Sequence, residues 1–180
     1  MSPVTIITPL WRTQNLRQLH DNILAIFDGV VDWRWVVALD LNTQPFTIAD
    51  HYRRTAFCTF FGGDRWQAGR GRNLAAAQHA RPGWIINHDD DCLFLEPMRE
   101  ILLDLERIED RQQYVLQWKR EGDVGMVDRG DTNSFMYDSR YCHVSWSTEH
   151  NADCEVFQKL VEEHGVTYRP EIAVHWNCLR

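Results

Sequence analysis

Short apolar runs alternate with amphipathic stretches along this chain. Val4-Thr5-Ile6-Ile7-Thr8 is β-branched and closed by Pro9, the pattern of a buried strand. Leu16, Leu19, Ile23, Ile26 and Phe27 follow at spacings of three, four, three and one, which predicts an amphipathic helix over 13–27, stopped near Gly29. Trp33 to Leu39 (WRWVVAL) is again mostly apolar and ends at Asp40, with Asn42 and Pro45 in the loop beyond. Strand, helix and strand in such close succession make a βαβ unit, for which a parallel sheet is the natural arrangement.

TAFCTFF suggests a third strand and Gly62-Gly63-Asp64 a turn. Asn73 to Ala80 (NLAAAQHA) is rich in helix formers, ends before Pro82-Gly83, and hands over to the buried run Trp84-Ile85-Ile86, after which comes His88-Asp89-Asp90-Asp91. Pro97 opens a further helix with Met98, Ile101, Leu102, Leu105 and Ile108 on one face, and YVLQW (114–118) reads as a strand. Residues 121–152 lack a clear period and are expected to form loops and short strands along one wall of a site. Glu155 to His164 is the last helix, stopped at Gly165, with VTYR and IAVHW as closing strands. The whole is predicted to be an α/β domain, a mostly parallel central sheet flanked by helices.

At 180 residues the chain is expected to form a single domain. Nineteen basic against 26 acidic residues give a net charge of −7 with no basic run, so nucleic acid and anionic membranes are poor candidate partners. A hydrophobic fraction of 44% with 25% charged residues argues against disorder. The first residues carry no basic region followed by an apolar segment, and no stretch reaches the roughly 18 apolar residues of a membrane span, so the reading is a cytoplasmic protein. The five cysteines are scattered without a CxxC pair, which indicates neither a disulfide framework nor a zinc ribbon.

The strongest chemical signal is Asp89-Asp90-Asp91 at the carboxyl end of an apolar strand. Three adjacent carboxylates repel one another, and such a cluster calls for a cation or hydrogen-bond donors; oxygen-only ligation points to Mg²⁺ or Mn²⁺. In an open parallel sheet, ligands bind beyond the carboxyl ends of the strands, where this cluster falls. The competing reading is a solvated acidic turn ahead of the Pro97 helix. Arg70-Gly71-Arg72-Asn73 lies at the expected start of the preceding helix, a place that favours anionic groups, although an arginine pair on a loop is commonly just solvated.

Thr8-Pro9 with Arg12, the Trp33–Asp40 strand, GRGRNLAAA and WIINHDDDC, in that order, resemble GT-A-fold glycosyltransferases. The pattern is similar to the inverting glucuronyltransferases, with their ITPTY, W-I-V-V-E-D, Q-R-N-x-A-L and A-D-D-D-N elements, and to family 2 glycosyltransferases. The resemblance covers residues 4–97 well and the remainder loosely, and its most specific part is the Arg-Asn helix followed by the aspartate motif, the family's DxD signature. It implies a nucleotide-sugar-binding half over 1–97 and an acceptor-binding half over 98–180. Thr8, Pro9, Arg12 and Asp40 would hold the base and ribose of a nucleotide-sugar, with Arg70, Arg72 and Asn73 beside the nucleotide. Asp89 and Asp90 would face ribose and uracil, and Asp91 would bind a Mn²⁺ or Mg²⁺ bridging the two phosphates. Ala173-Val174-His175-Trp176 is similar to the V-W-H-T element with the order of His and Trp exchanged, which makes His175 either a diphosphate or metal contact or a core histidine.

An inverting transfer needs a carboxylate to take the acceptor proton. Asn151-Ala152-Asp153-Cys154 is similar to the E-D or A-D element of family 2 enzymes, so Asp153 is the candidate base, a role compatible with capping the last helix; Glu149 and Glu155 are the fallbacks. His150, Cys154, His175 and Cys178 have spacings that admit a structural zinc, without a supporting loop signature. Most of the eight tryptophans are expected to pack in the core, with Trp146, seven residues before Asp153, the candidate for stacking on an acceptor.

The resulting expectation is a metal-dependent inverting glycosyltransferase of hexosyltransferase type, moving a sugar from a UDP-sugar to the hydroxyl of a glycan or other acceptor. A nucleotidyltransferase acting on a sugar phosphate is the enzymatic alternative, but TPLWRTQN after the first strand lacks the expected glycines. A non-catalytic nucleotide-sugar or glycan-binding module is the other alternative. Completion of the acceptor site by a second copy in a homo-oligomer is compatible with the short length.

Overall fold

The computed structural model describes residues 3–41, 52–61, 67–108, 115–121, 134–141, 145–147, 152–175 and 178–179. The expected turn at Gly62-Gly63-Asp64, and Glu149, His150 and Trp176, lie outside them.

The continuous apolar runs form strands because both of their faces are covered. β1 (Val4–Leu10) pairs in parallel with β2 (Trp33–Asp40) on one side and β4 (Trp84–Asn87) on the other, and β2 pairs in parallel with β3 (Thr55–Phe60). The β1 run does not end at Pro9. Thr8 and Pro9 stay in register with Val37 and Ala38, and the loop begins only at Trp11.

β5 (Leu93–Phe94), β6 (Val115–Glu121), β7 (Phe135–Asp138) and β8 (Val166–His175) complete the sheet among the described residues, in the order β3-β2-β1-β4-β7-β6-β8-β5. β7 runs antiparallel to both β4 and β6, and β5 antiparallel to β8, so the second half of the sheet is mixed. VTYR and the described part of IAVHW, up to His175, are one strand rather than two. β8 passes through Pro170 with a register irregularity against β6, which accommodates a residue that has no N–H to donate.

Among the described residues, four α-helices cover the sheet. α1 (Leu16–Phe27) follows a 3-10 turn at Thr13–Asn15, and α3 (Pro97–Asp104) runs into a second 3-10 turn, Leu105–Arg107. Leu16, Leu19 and Ile23 of α1 and Met98, Ile101 and Leu102 of α3 share one core with Ile6, Trp35, Val37 and Ile86. The alternate residues Ile7, Val36, Ala38 and Ile85 face the opposite core, with Ala75 and Ala76 of α2 (Ala68–His79) and Val156, Phe157 and Leu160 of α4 (Ala152–His164). The period of two along each strand thus divides the sheet's side chains between two helical layers.

α2 begins at Ala68, five residues before the expected Asn73. AGRGRN reads locally as loop, yet tertiary packing requires its small residues: a Cβ on Gly71 would lie 3.0 Å from the Phe60 ring and 3.2 Å from the Ala38 Cβ. Arg72 and Asn73 therefore sit one turn inside the helix rather than at its N-terminus. No helix among the described residues is long and apolar enough to cross a membrane.

Candidate functional site

The carboxyl ends of β1, β2 and β4 lie side by side, and the polar residues that terminate them meet there. β4 ends at Asn87 and opens into a tight turn that carries His88, Asp89, Asp90 and Asp91. His88 is fully buried beneath the turn, its ring stacked on Phe94 with centroids 4.0 Å apart, and its Nε2 lies 3.0 Å from the carbonyl of Cys92. A carbonyl can only accept, so Nε2 carries the proton. Burial holds the imidazole neutral and pushes its pKa down to about 4, against the opposing pull of Asp89, the Cys92 carbonyl and Asp91.

The three aspartates have different surroundings. Asp90 is buried and fastens the turn to the loop after β1: its Oδ2 accepts from the backbone N–H groups of Trp11 (2.6 Å) and Arg12 (2.5 Å), and its Oδ1 from Nη1 of Arg12 (2.6 Å). Burial nevertheless raises its pKa, outweighing these hydrogen bonds and the Arg12 charge. Asp91 is also buried; its Oδ2 lies 3.4 Å from the same Nη1, and its Oδ1 accepts from the Cys92 thiol. One guanidinium therefore relieves the repulsion between two neighbouring carboxylates. Asp89, at 33% side-chain exposure, is the open member, and its Oδ1 accepts from Nη2 of Arg72 at 2.5 Å.

Asn15 closes the turn from below. Its Nδ2 donates to the carbonyl of Asp90 (2.8 Å) and to that of Leu179 (3.2 Å), while the N–H of Leu179 donates to the carbonyl of Asp91 (3.1 Å). Three remote parts of the chain thus meet at one turn.

Arg72 is buried on α2 and stacks over Trp146, its guanidinium carbon 4.6 Å from the ring centroid. Asn73 commits both ends of its amide to the same residue: Nδ2 donates to the Trp146 carbonyl (2.9 Å) and Oδ1 accepts from the Trp146 N–H (2.8 Å). Trp146 is itself buried and lies parallel to Phe135. With its indole between Arg72 and the core it packs, and does not offer a free face for acceptor stacking.

The remaining sequence candidates fall as follows. Thr8 is buried within β1, and its hydroxyl accepts from the indole N–H of Trp35 at 2.9 Å. Pro9 is buried in the same strand. Asp40 is the buried last residue of β2, at the same sheet edge as the aspartate turn. Arg70 is exposed on the first turn of α2. His175 ends β8 and pairs in register with Leu93, two residues beyond Asp91. Asp153 lies in the first turn of α4, and Glu155, two residues on, is exposed.

The structure thus brings together Arg12, Asp90 and Asp91 in one group, and Arg72, Asn73 and Asp89 in another. Sequence reasoning missed Asn15, and it did not assign His88 a role although His88 directly precedes the aspartates. Neither has a local signal, since each is defined by partners reached only through the fold.

No group of three His, Cys, Asp or Glu side chains among the described residues could hold a metal ion. The donor chemistry still suits a hard divalent cation of the kind that takes one or two protein carboxylates and completes its shell with water and substrate phosphates. Asp91 and the partly exposed Asp89 are the carboxylates of the turn with that donor chemistry, Asp90 being the one that fastens the turn to the β1 loop.

The chain is similar to solved structures of S. aureus TarS. Against the 1–349 fragment the TM-score is 0.71 at 11% identity, covering 97% of this chain and 60% of that one. Against the same fragment in complex with UDP-GlcNAc it is 0.69 at 10% identity, covering 97% and 58%. It is also similar to the mannosyltransferase PcManGT from Pyrobaculum calidifontis in complex with GDP-Man and Mn²⁺, at a TM-score of 0.69 and 14% identity over 94% of this chain and 55% of that one. The fold is GT-A. In this GT-A chain the aspartate turn stands at the carboxyl end of β4, next to the carboxyl end of β1. The chain spans about 60% or less of the length of these structures. No family model and no curated protein matches the sequence.

Proposed function

We propose that the protein is a glycosyltransferase that moves a sugar from a nucleotide-sugar donor, a UDP-sugar in the first instance, to an acceptor hydroxyl with inversion. The observation that carries this reading is the aspartate turn itself. On a GT-A sheet, it presents a partly exposed Asp89 beside a buried Asp91 and fixes the turn through Asp90, Arg12 and Asn15. The structures bound to UDP-GlcNAc and to GDP-Man with Mn²⁺ support a nucleotide-sugar as the class of donor.

Asp89 and Asp91 would hold a Mn²⁺ or Mg²⁺, which when bound supplies positive charge that stabilises a departing diphosphate. Arg12, between Asp90 and Asp91, keeps the turn from splaying under its own charge and adds a fixed cation at the phosphate end of the site. The acceptor oxygen forms its bond to the anomeric carbon as the bond from that carbon to the diphosphate oxygen breaks, and Asp153 takes the acceptor's proton. Trp11 (37% exposed), Leu41 (39%) and Phe61 (65%) follow directly on β1, β2 and β3, and they offer apolar surface along that edge for a base and ribose.

The test is calorimetric titration of UDP, GDP, a panel of UDP-sugars and GDP-mannose, with and without Mn²⁺, into wild type and Asp91→Ala. Metal-dependent binding of one nucleotide-sugar, weakened by about a hundredfold or more in Asp91→Ala, is expected for a carboxylate that anchors the ion. Absence of nucleotide binding under every condition would return the triple Asp to an acidic turn.

A further inference from the structure

Arg72 and Asn73 are adjacent in sequence, and both of their side chains end on Trp146. We propose that they are positioning residues: together with Gly69 they form a seam by which α2 holds the segment 145–147 against the aspartate turn, and so set where α4 begins relative to the donor. This rests on the glycosyltransferase reading above and assigns these residues a task other than touching the nucleotide.

Three independent observations define the seam. The amide of Asn73 pairs with both backbone polar groups of Trp146, as a neighbouring strand would, so the segment is fixed in direction as well as in distance. One turn earlier on the same helix face, a Cβ on Gly69 would lie 2.2 Å from the carbonyl oxygen of Ser147 and 3.1 Å from the Trp146 Cβ, so only glycine admits the segment this close. Arg72 then bridges two sites with one planar group, its Nη2 on Asp89 and its face on the indole.

The consequence follows from chain connectivity. Only residues 148–151 separate Ser147 from Ala152, where α4 starts, and Asp153 lies in its first turn. Trp146 lies parallel to Phe135, whose ring packs on Phe157 of α4 with centroids 5.1 Å apart, so a displacement at Trp146 is passed on to the helix that carries the candidate base. Asp89 stands at the other end of the same guanidinium. The seam thus ties the donor aspartate to the acceptor side of the site through a single side chain, and small errors of placement there weigh on the rate rather than on donor affinity.

Gly69→Ala and Asn73→Ala separate this from the alternatives. Gly69→Ala introduces a better helix former whose Cβ pushes on Trp146 and Ser147, while Asn73→Ala removes the two hydrogen bonds. In both, the Kd for UDP with Mn²⁺ is expected to stay within about threefold of wild type, while UDP release from the accepted UDP-sugar, with water as acceptor, falls by about tenfold or more. Amide exchange is expected to speed up in 145–158 and not in 84–94.

Loss of UDP affinity in Asn73→Ala but not in Gly69→Ala would make Asn73 a nucleotide ligand and overturn the proposal. So would turnover at the wild-type rate in both variants, or exchange that speeds up equally in 84–94. Absence of UDP binding by the wild type would overturn the glycosyltransferase reading and the seam's role with it, an outcome distinct from the others.

Discussion

His88 shows how much one side chain beneath the turn controls. Its pKa of about 4 in the folded chain lies below the ordinary 6.5, so between those values the unfolded chain binds a proton that the folded chain does not. The stability it allows is complete above pH 6.5 and is lost as the pH falls toward 4, by about 3 kcal/mol. Asp90 acts in the opposite sense. Its raised pKa means that ionising it in place costs stability as the pH climbs above the usual carboxylate range. The measurement is therefore a difference: urea unfolding of wild type and His88→Gln at pH 7 and pH 4.5. The stability gap between the two pH values is expected to shrink in the variant; an unchanged gap would mean that another group carries it. Asp90→Ala removes all three hydrogen bonds that hold the β1 loop, and a loss of about 2–3 kcal/mol in the same assay at pH 7 is expected.

Among the elements, α2 is packed by absence of bulk. Gly71 faces Phe60 and Ala38 at distances that leave no space for a branched side chain, so Gly71→Val should destabilise the fold by about 1–3 kcal/mol through overpacking, read as a lowered urea midpoint with unchanged slope. The same helix marks the boundary of what the sequence pattern conveys. Buried strands such as Val4–Leu10 and Trp84–Asn87 are legible because two covered faces leave a continuous apolar run. The start of α2 is not, because AGRGRN has the local preferences of a loop and becomes helical only through contacts with β2 and β3, which no local window contains. The antiparallel β7, which turns the second half of the sheet mixed, is hidden for a related reason: a four-residue strand carries little pattern, and its direction is fixed by its neighbours β4 and β6.

At the scale of the molecule, the aspartate turn was legible as chemistry, since three carboxylates after an apolar strand are visible in any reading, whereas what holds them was not. Asn15 lies 75 residues from Asp90 and 164 from Leu179, and only the assembled sheet brings the three together. Its single amide nitrogen serves both carbonyls, and the Leu179 N–H in turn serves Asp91, so the loop after β1, the turn after β4 and the chain beyond β8 form one polar unit. Asn15→Ala leaves two carbonyls short of a donor, one of them in the buried turn. A loss of about 1–3 kcal/mol in urea unfolding is expected. Because the carbonyl of Asp90 is then no longer anchored, the carboxylates on either side of it lose preorganisation, and UDP binding in the presence of Mn²⁺ should weaken together with stability. Asn15→Asp is the sharper test of the amide's role. It keeps the shape, supplies no proton to either carbonyl, and adds a fourth negative charge beside Asp90 and Asp91, so it should weaken metal-dependent UDP binding no less than alanine does. Should Asn15→Asp instead bind UDP and Mn²⁺ as tightly as wild type, the turn is held by Arg12 and the β1 loop alone, and the contact with the chain beyond β8 has no part in preparing the site.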